Sequence, residues 1–295
     1  MYKIGIDVGG TTIKCGVVKN NEIVIKQAVK TPIKNVEKAV SETEKLILSL
    51  LKKCEINISD IDFVGVGLPG TVHKNVVTYA NNLDWYGVPF AELLEKRIHK
   101  KVVSDNDARC ALYAELNVGA GIGKSEVLMV TLGTGVGTAF TSDGKVHKGF
   151  MSAGGEGGIM TYKDGIWEEY ASTLALVKRV QKLKNTDAPL GKYLSDKEID
   201  GKTIFDAEQE KIEGAKELID VHIGYIADGI VSLVNLLRPQ TVIIGGAIAK
   251  ENRIITPLKI AVQKRAYGGE YNPKIELVSA KVSDAGIIGA TFIEE

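Results

Sequence analysis

The sequence predicts an α/β protein of two lobes, each built on a β-sheet and the second a duplicate of the first. Three observations lead there. β-rich runs alternate with runs whose apolar residues recur at helical spacing, the pattern of a mixed sheet covered by helices. The succession strand, glycine loop, strand, tight turn, strand occurs twice, with Gly9 answered by Gly133 and Asn20 by Asp143 at nearly the same offset. The 295 residues are also enough for one large or two medium domains.

In the first copy Tyr2–Val8 is a strand closing on Gly9-Gly10, Ile13–Val18 a second strand, Asn20-Asn21 the turn and Ile23–Val29 a third strand. Val36–Cys54 is an amphipathic helix, with Val36, Val40, Ile47, Leu50 and Leu51 among its apolar positions. Asp62–Leu68 is a buried strand stopped by Pro69-Gly70. Phe90–Ile98 is a short helix, Val102-Val103 a short strand and Asp107–Val118 a helix. The second copy comprises Val127–Leu132, Gly133-Thr134-Gly135, Val136–Thr141, the turn Asp143-Gly144 and Lys145–Lys148. Glu168–Leu183 and Ala215–Leu237 are helices, the latter stopped by Pro239. Thr241–Ile244 is a buried strand ending in Gly245-Gly246, followed by a helix at Pro257–Arg265, a strand at Ile275–Val278 and a closing helix at Asp284–Phe292. The expected lobes are residues 1–118 with 284–295, and residues 119–283. Gly119–Gly123 is the expected hinge, since glycine absorbs backbone rotation most cheaply.

Composition excludes several classes. Acidic and basic residues balance at 37 each, which argues against nucleic acid or a membrane surface as a general partner. No apolar run approaches the ~20 residues of a membrane span. The chain begins directly on a strand-like segment with no signal peptide, and Cys15, Cys54 and Cys110 form no CxxC pair, so a reducing cytoplasm is expected. His73, His99 and His147 lie near turns among lysines and read as solvated. His222 falls on an apolar helix face and reads as a core histidine with its hydrogen bonds satisfied.

The chemistry concentrates in two glycine loops and one acidic turn. Asp7-Val8-Gly9-Gly10-Thr11-Thr12 and Leu132-Gly133-Thr134-Gly135-Val136-Gly137 each follow a strand, where backbone N–H groups without β-carbons in the way can converge on phosphate. Asp7 is placed to hold Mg²⁺ through water, or else to cap its turn. Ser104-Asp105-Asn106-Asp107-Ala108 joins a short strand to a helix. Ser104 or Asp105 can cap that helix and Asp107 can serve as a first-turn acid. Beside a phosphate site, a carboxylate there can instead take a hydroxyl proton.

The ordered set Asp7-x-Gly9-Gly10-Thr11-x-x-Lys14, Leu68-Pro69-Gly70, Asn82-Leu83-x-Trp85, Asn106-Asp107-Ala108, Leu132 to Gly137, Gly155-Glu156, Gly245-Gly246 and Ala285-Gly286-x-x-Gly289-Ala290 resembles the ROK family of bacterial sugar kinases, essentially end to end. The resemblance implies the sugar kinase/heat-shock-70/actin (ribonuclease-H-like) fold and transfer of phosphate from MgATP to a hexose, O6 of glucose first. By position it implies Asp107 as general base. Asn82, Asn106, Asp107, Glu156 and Glu168 would hold the sugar, and Asp7, Gly9, Gly10, Thr11, Thr12, Lys14, Gly133, Thr134 and Gly135 the phosphates and Mg²⁺. Gly245 and Gly246 would let a strand end approach the adenosine. A homodimer is also implied.

One departure bears on substrate. Where the resembled family carries a histidine and then a cysteine-rich zinc loop, this chain has Ile159 and the shortened Met160–Trp167 stretch without cysteine. No structural zinc is expected, and the loop is expected to be held by packing, with Tyr162 and Trp167 as candidates. Trp85 can stack on a sugar or plug the lobe. Kinases for N-acetylmannosamine or β-glucosides are the alternatives within the class. A sugar-responsive regulator or a non-catalytic sugar or nucleotide binder are the alternatives outside it.

Overall fold

A computed structural model describes residues 1–294. In chain order the elements are β1 (Tyr2–Val8), β2 (Thr12–Lys19), β3 (Glu22–Lys30), α1 (Val36–Cys54), β4 (Ile61–Leu68), β5 (Thr71–His73), β6 (Val76–Tyr79), α2 (Phe90–Ile98), β7 (Val102–Asn106) and α3 (Asp107–Val118). There follow β8 (Val127–Leu132), β9 (Val136–Ser142), β10 (Lys145–Val146), β11 (Thr161–Tyr162), β12 (Gly165–Ile166), α4 (Glu168–Ala171), α5 (Thr173–Leu183), α6 (Pro189–Leu194), α7 (Thr203–Gln209), α8 (Ala215–Leu237), β13 (Thr241–Gly245), α9 (Asn252–Arg265), β14 (Glu276–Ser279) and α10 (Ala285–Ala290).

Two five-stranded sheets carry the fold, in the orders β3-β2-β1-β4-β7 and β10-β9-β8-β13-β14. Each places a hairpin beside two parallel strands that come later in sequence, so the duplication read from the two glycine loops is present in the topology. The chain divides into two compact units. One comprises residues 1–125, 139–155 and 281–295, the other 126–138 and 156–280. This differs from the expected division at 118/119 and 283/284. Residues 119–125, 139–155 and 281–283 group with the first unit, and the boundary runs through β9.

In the first unit the meander β1-β2-β3 buries Ile4, Ile6, Val8, Ile13, Cys15 and Val17. α1 starts at Asn35, whose side chain accepts the Lys38 N–H at 2.9 Å, and supplies Val40, Ile47 and Leu50 to the same core. Helices α3 and α10 meet backbone to backbone. A Cβ on Gly289 would lie 1.6 Å from the Cys110 carbonyl oxygen. Glu115 of α3 is fully buried. Its carboxylate accepts the backbone N–H groups of Ala120, Lys281 and Val282 at 2.7, 2.9 and 2.8 Å. The expected hinge at Gly119–Gly123 is therefore tied down at Ala120 by a buried acid.

Several elements differ from expectation for local reasons. β7 runs on to Asn106 because β4 continues to pair with it as far as Leu68. The helix expected over 168–183 breaks at Ser172, which is extended and caps α5 by accepting the Ala175 N–H at 3.1 Å. α9 begins at Asn252, with Pro257 inside it. Its first turn is anchored by Arg253, which binds Glu251 and Glu208, so the helix starts upstream of its proline. α6 and α7, of six and seven residues, are too short to show a period. Among the described residues no helix is long and apolar enough to cross a membrane.

Candidate active site

Parallel strands bring their carboxyl ends to one edge of a sheet, where α/β proteins bind ligands. In the first unit Asp7 pairs in register with Gly67, and Leu68 with Asn106, so Asp7, the Gly9-Gly10 turn, Pro69-Gly70 and Asn106-Asp107 share one edge. Asp7 is half-buried, and Lys14, its partner across the hairpin, places Nζ 3.4 Å from Oδ2. Burial pushes the Asp7 carboxyl above its ordinary value, Lys14 opposes that, and Asp284 adds to it. Gly286 permits the crowding, since a Cβ there would lie 2.6 Å from the Asp7 carboxyl carbon.

The Gly9 turn is closed from within. Gly9 donates its N–H to Thr12 O at 2.9 Å, and Thr31 Oγ1 donates to Gly9 O at 2.6 Å. Exposed Asn82 stands beside the turn, with Nδ2 3.8 Å from a Cβ built on Gly10. Trp85 does not share that exposure. It is buried, stacked on Phe90 at 5.4 Å between centroids, and so belongs to the core.

Asn106 caps α3. Its Oδ1 accepts the Arg109 N–H at 3.1 Å, and its Nδ2 donates to Gly70 O at 3.0 Å, which locks the amide orientation. Asp107 is the first residue of α3 and its Oδ1 accepts the Ala108 N–H at 2.8 Å. A carboxylate in the first turn faces the positive end of its helix. The cap is therefore Asn106, not Ser104 or Asp105.

Asp105, 2% exposed, has a different task that sequence reasoning missed. Its oxygens take Arg109 Nε at 2.6 Å, Lys148 Nζ at 3.0 Å, the Tyr113 hydroxyl at 3.0 Å and the Asn106 N–H at 2.7 Å. The signal available was an acid and an arginine four residues apart, Asp105 just before the helix cap and Arg109 in the first turn. His73, expected to be solvated, is half-buried with Nδ1 3.2 Å from Ser152 Oγ.

In the second unit β8 and β13 run parallel with Thr131 opposite Gly245, which sets Gly245-Gly246 beside Leu132-Gly133. Gly246 has φ +92° and a Cβ there would lie 2.1 Å from Leu132 O, so only glycine fits. Gly133 donates its N–H to Gly135 O at 3.0 Å, the counterpart of the internal bond in the Gly9 turn. The amino terminus of α5 docks on the same loop, with Leu174 N–H on Gly133 O at 3.2 Å and Thr173 Oγ1 on Leu132 O at 3.2 Å. Glu168 lies against the loop as well, its Oε2 accepting the Val136 N–H at 3.2 Å. Glu156 is exposed, just before a short turn whose Gly157 N–H bonds Thr138 Oγ1 at 2.7 Å.

The shortened Met160–Trp167 stretch is the hairpin β11-β12, packed by aromatic rings. Trp167 is fully buried, its indole N–H on Tyr225 O at 2.8 Å. Tyr162, Tyr170 and Tyr225 meet edge to face at 5.1 to 6.3 Å, and Lys163 Nζ lies 4.2 Å from the Tyr225 centroid. The Tyr162 hydroxyl bonds Asp228.

His222 is buried as expected but only half satisfied. Nδ1 is 2.6 Å from the Arg179 guanidinium, and Nε2 has no partner among the described residues. Burial first, then Arg179, pushes its pKa down to about 3. The folded protein thus keeps His222 neutral where the unfolded chain, near 6.5, takes a proton. Stability from this source is present above pH ~6.5 and is lost as pH falls toward ~3. The His222→Gln variant should show a flatter acid limb than wild type in urea midpoints measured across that range.

The profile of a family described as the ROK family matches residues 3–294. A glucokinase from Streptomyces coelicolor is 29% identical over 97% of this chain and 95% of its own. A β-glucoside kinase from Listeria innocua is 30% identical over 97% and 95%. A solved structure of a ROK family glucokinase from Streptomyces griseus, in complex with glucose and AMPPNP, superposes with a TM-score of 0.86 at 28% identity, covering 98% of each chain.

Proposed function

The chain belongs to the ROK family, and from that premise we propose that this ATP-dependent sugar phosphotransferase moves the γ-phosphate of ATP to a hexose hydroxyl, O6 of glucose first, with Asp107 as the base. The observation that carries the reading is the Asn106-Asp107 turn. It puts an orientation-locked amide and a first-turn carboxylate together at the carboxyl edge of a parallel sheet, on the same edge as the Gly9-Gly10 loop. Asn82, Asn106, Glu156 and Glu168 hold sugar hydroxyls, for which planar amide and carboxylate groups are suited. The amides of Gly10, Thr11, Thr134 and Gly135 and the threonine hydroxyls receive phosphate, and Gly245-Gly246 give the adenosine room beside the strand end. Thr12 and Lys14 complete the first loop.

Asp107 takes the proton of the attacking hydroxyl as the oxygen closes on the γ-phosphorus, and the β-phosphate oxygen leaves as ADP. Asp7 fits a Mg²⁺ ion held through water, because a single half-buried carboxylate at the loop suits an ion that keeps most of its waters. Bound there, Mg²⁺ neutralises phosphate charge. Lys14, beside Asp7, adds a second positive charge to the loop. A homodimer is part of the same reading.

A second reading, kinase action on a β-glucoside, has a specific observation in its favour. Exposed Ile159 stands where zinc-bearing members of the family carry histidine, and a 30% identical relative is a β-glucoside kinase. The test is ADP release with MgATP on glucose, mannose, N-acetylglucosamine, N-acetylmannosamine and cellobiose. The glucose reading expects the highest kcat/KM on glucose. A preference for cellobiose replaces it with the second reading, and silence on all sugars by a folded protein that binds ATP overturns both.

A further inference from the structure

The segment from Lys148 to Gly155 has an uncomfortable backbone and no apolar anchor. Gly149, Met151, Ser152 and Gly155 all have positive φ, at 69°, 53°, 58° and 89°, and two of them carry side chains that disfavour it. Phe150 is 90% exposed and Met151 50%, so burial does not hold the segment down. Polar contacts do. Gly154 donates its N–H to Lys148 O at 2.9 Å, His73 Nδ1 meets Ser152 Oγ at 3.2 Å, Lys148 Nζ binds Asp105 at 3.0 Å, and Arg109 Nη1 donates to Ser152 O at 3.2 Å.

Arg109 does two things at once. Its Nε binds Asp105 at 2.6 Å, the residue that directly precedes Asn106 and Asp107, while Nη1 holds the strained segment. The guanidinium is 3% exposed, so these bonds are shielded from water and are of the strong, charge-assisted kind. We propose that Arg109 is a positioning residue for sugar binding. It ties the turn bearing Asn106 and Asp107 to the strained segment 149–155, with Asp105 and Lys148 completing the clamp, and so keeps Asn106 set for the sugar. The inference rests on the sugar-kinase reading of Asn106 and Asp107.

The test uses the Arg109→Lys variant, which keeps a positive charge beside Asp105. Lysine lacks the planar fork by which Nε reaches Asp105 and Nη1 reaches Ser152 at once. Two readouts are needed. Hydrogen exchange at residues 149–155 should accelerate by about tenfold or more, as for a lost charge-assisted hydrogen bond. The KM for sugar should rise about tenfold, with kcat and the KM for ATP within about threefold of wild type. Lys148→Met, which alters a half-exposed ammonium and spares the core, should move both readouts in the same direction by less. Unchanged exchange overturns the anchor. Faster exchange with an unchanged sugar KM overturns the link to sugar, as does a fall in kcat alone. A wild-type protein silent on every sugar overturns the functional reading and with it the sugar half of this inference, while the exchange result still decides the anchor.

Discussion

Asp107→Asn should fold like the wild type and turn over sugar about 10²–10⁴ times more slowly. The asparagine carbonyl can still accept the Ala108 N–H that Asp107 Oδ1 accepts at 2.8 Å, so the first turn of α3 keeps its internal bond. The substitution preserves size and removes the group that can take a proton, along with a first-turn charge worth about 0.3–1 kcal/mol at a helix end. Asn106, locked by Gly70 and Arg109, stays in place, so sugar binding should survive. Three measurements separate the causes: kcat from ADP release, the thermal midpoint, and sugar affinity by calorimetry. A large drop in kcat with the other two near wild type supports the base. Turnover within about threefold of wild type removes Asp107 from that role, since a general base contributes far more than that.

Trp167→Ala should cost about 3–5 kcal/mol of stability, the range for removing a buried large aromatic side chain. Trp167 is the largest side chain in the hairpin region and is fully buried. Its ring lies against α8 where Gly229 leaves space, a Cβ there being 2.0 Å from the indole, and its N–H is bonded to Tyr225 O. Removal therefore leaves a cavity and takes a second donor away from the Tyr225 carbonyl. The effect should reach function, because Glu168 follows directly and holds the Val136 N–H from the start of α4. Sugar KM should rise along with the loss of stability. Urea unfolding at pH 7 reads the first effect and steady-state kinetics the second. A loss below about 1 kcal/mol would show that the tyrosine cluster and the Tyr162–Asp228 bond hold the hairpin without Trp167, since one such bond is worth about that much.

Much of this molecule is legible in one dimension because its signals are local. Glycines 9, 10, 133, 135, 245 and 246 stand at strand ends, and the strands before them show as β-branched runs. Where a reading failed, a contact distant in sequence had decided the matter. β7 carries Asn106 to the sheet edge because β4 pairs with it to Leu68. Ser172 interrupts a helix that looked continuous, and in doing so it starts α5 against the Gly133 loop. Trp85 could have been a sugar platform by composition, and its stacking on Phe90 makes it core.

By itself the sequence determined the α/β class, the duplication, the family and the identity of the residues at the strand ends, because strand pattern, glycine and turn chemistry are written in near neighbours. Tertiary structure alone decided the charge hub and the anchors. Asp105 is joined to Lys148, Arg109 to Ser152, Glu115 to Lys281 and Trp167 to Tyr225. The physical reason is burial. A carboxylate or guanidinium withdrawn from water must find its partners wherever the folded chain brings them, and no local spacing records where that is.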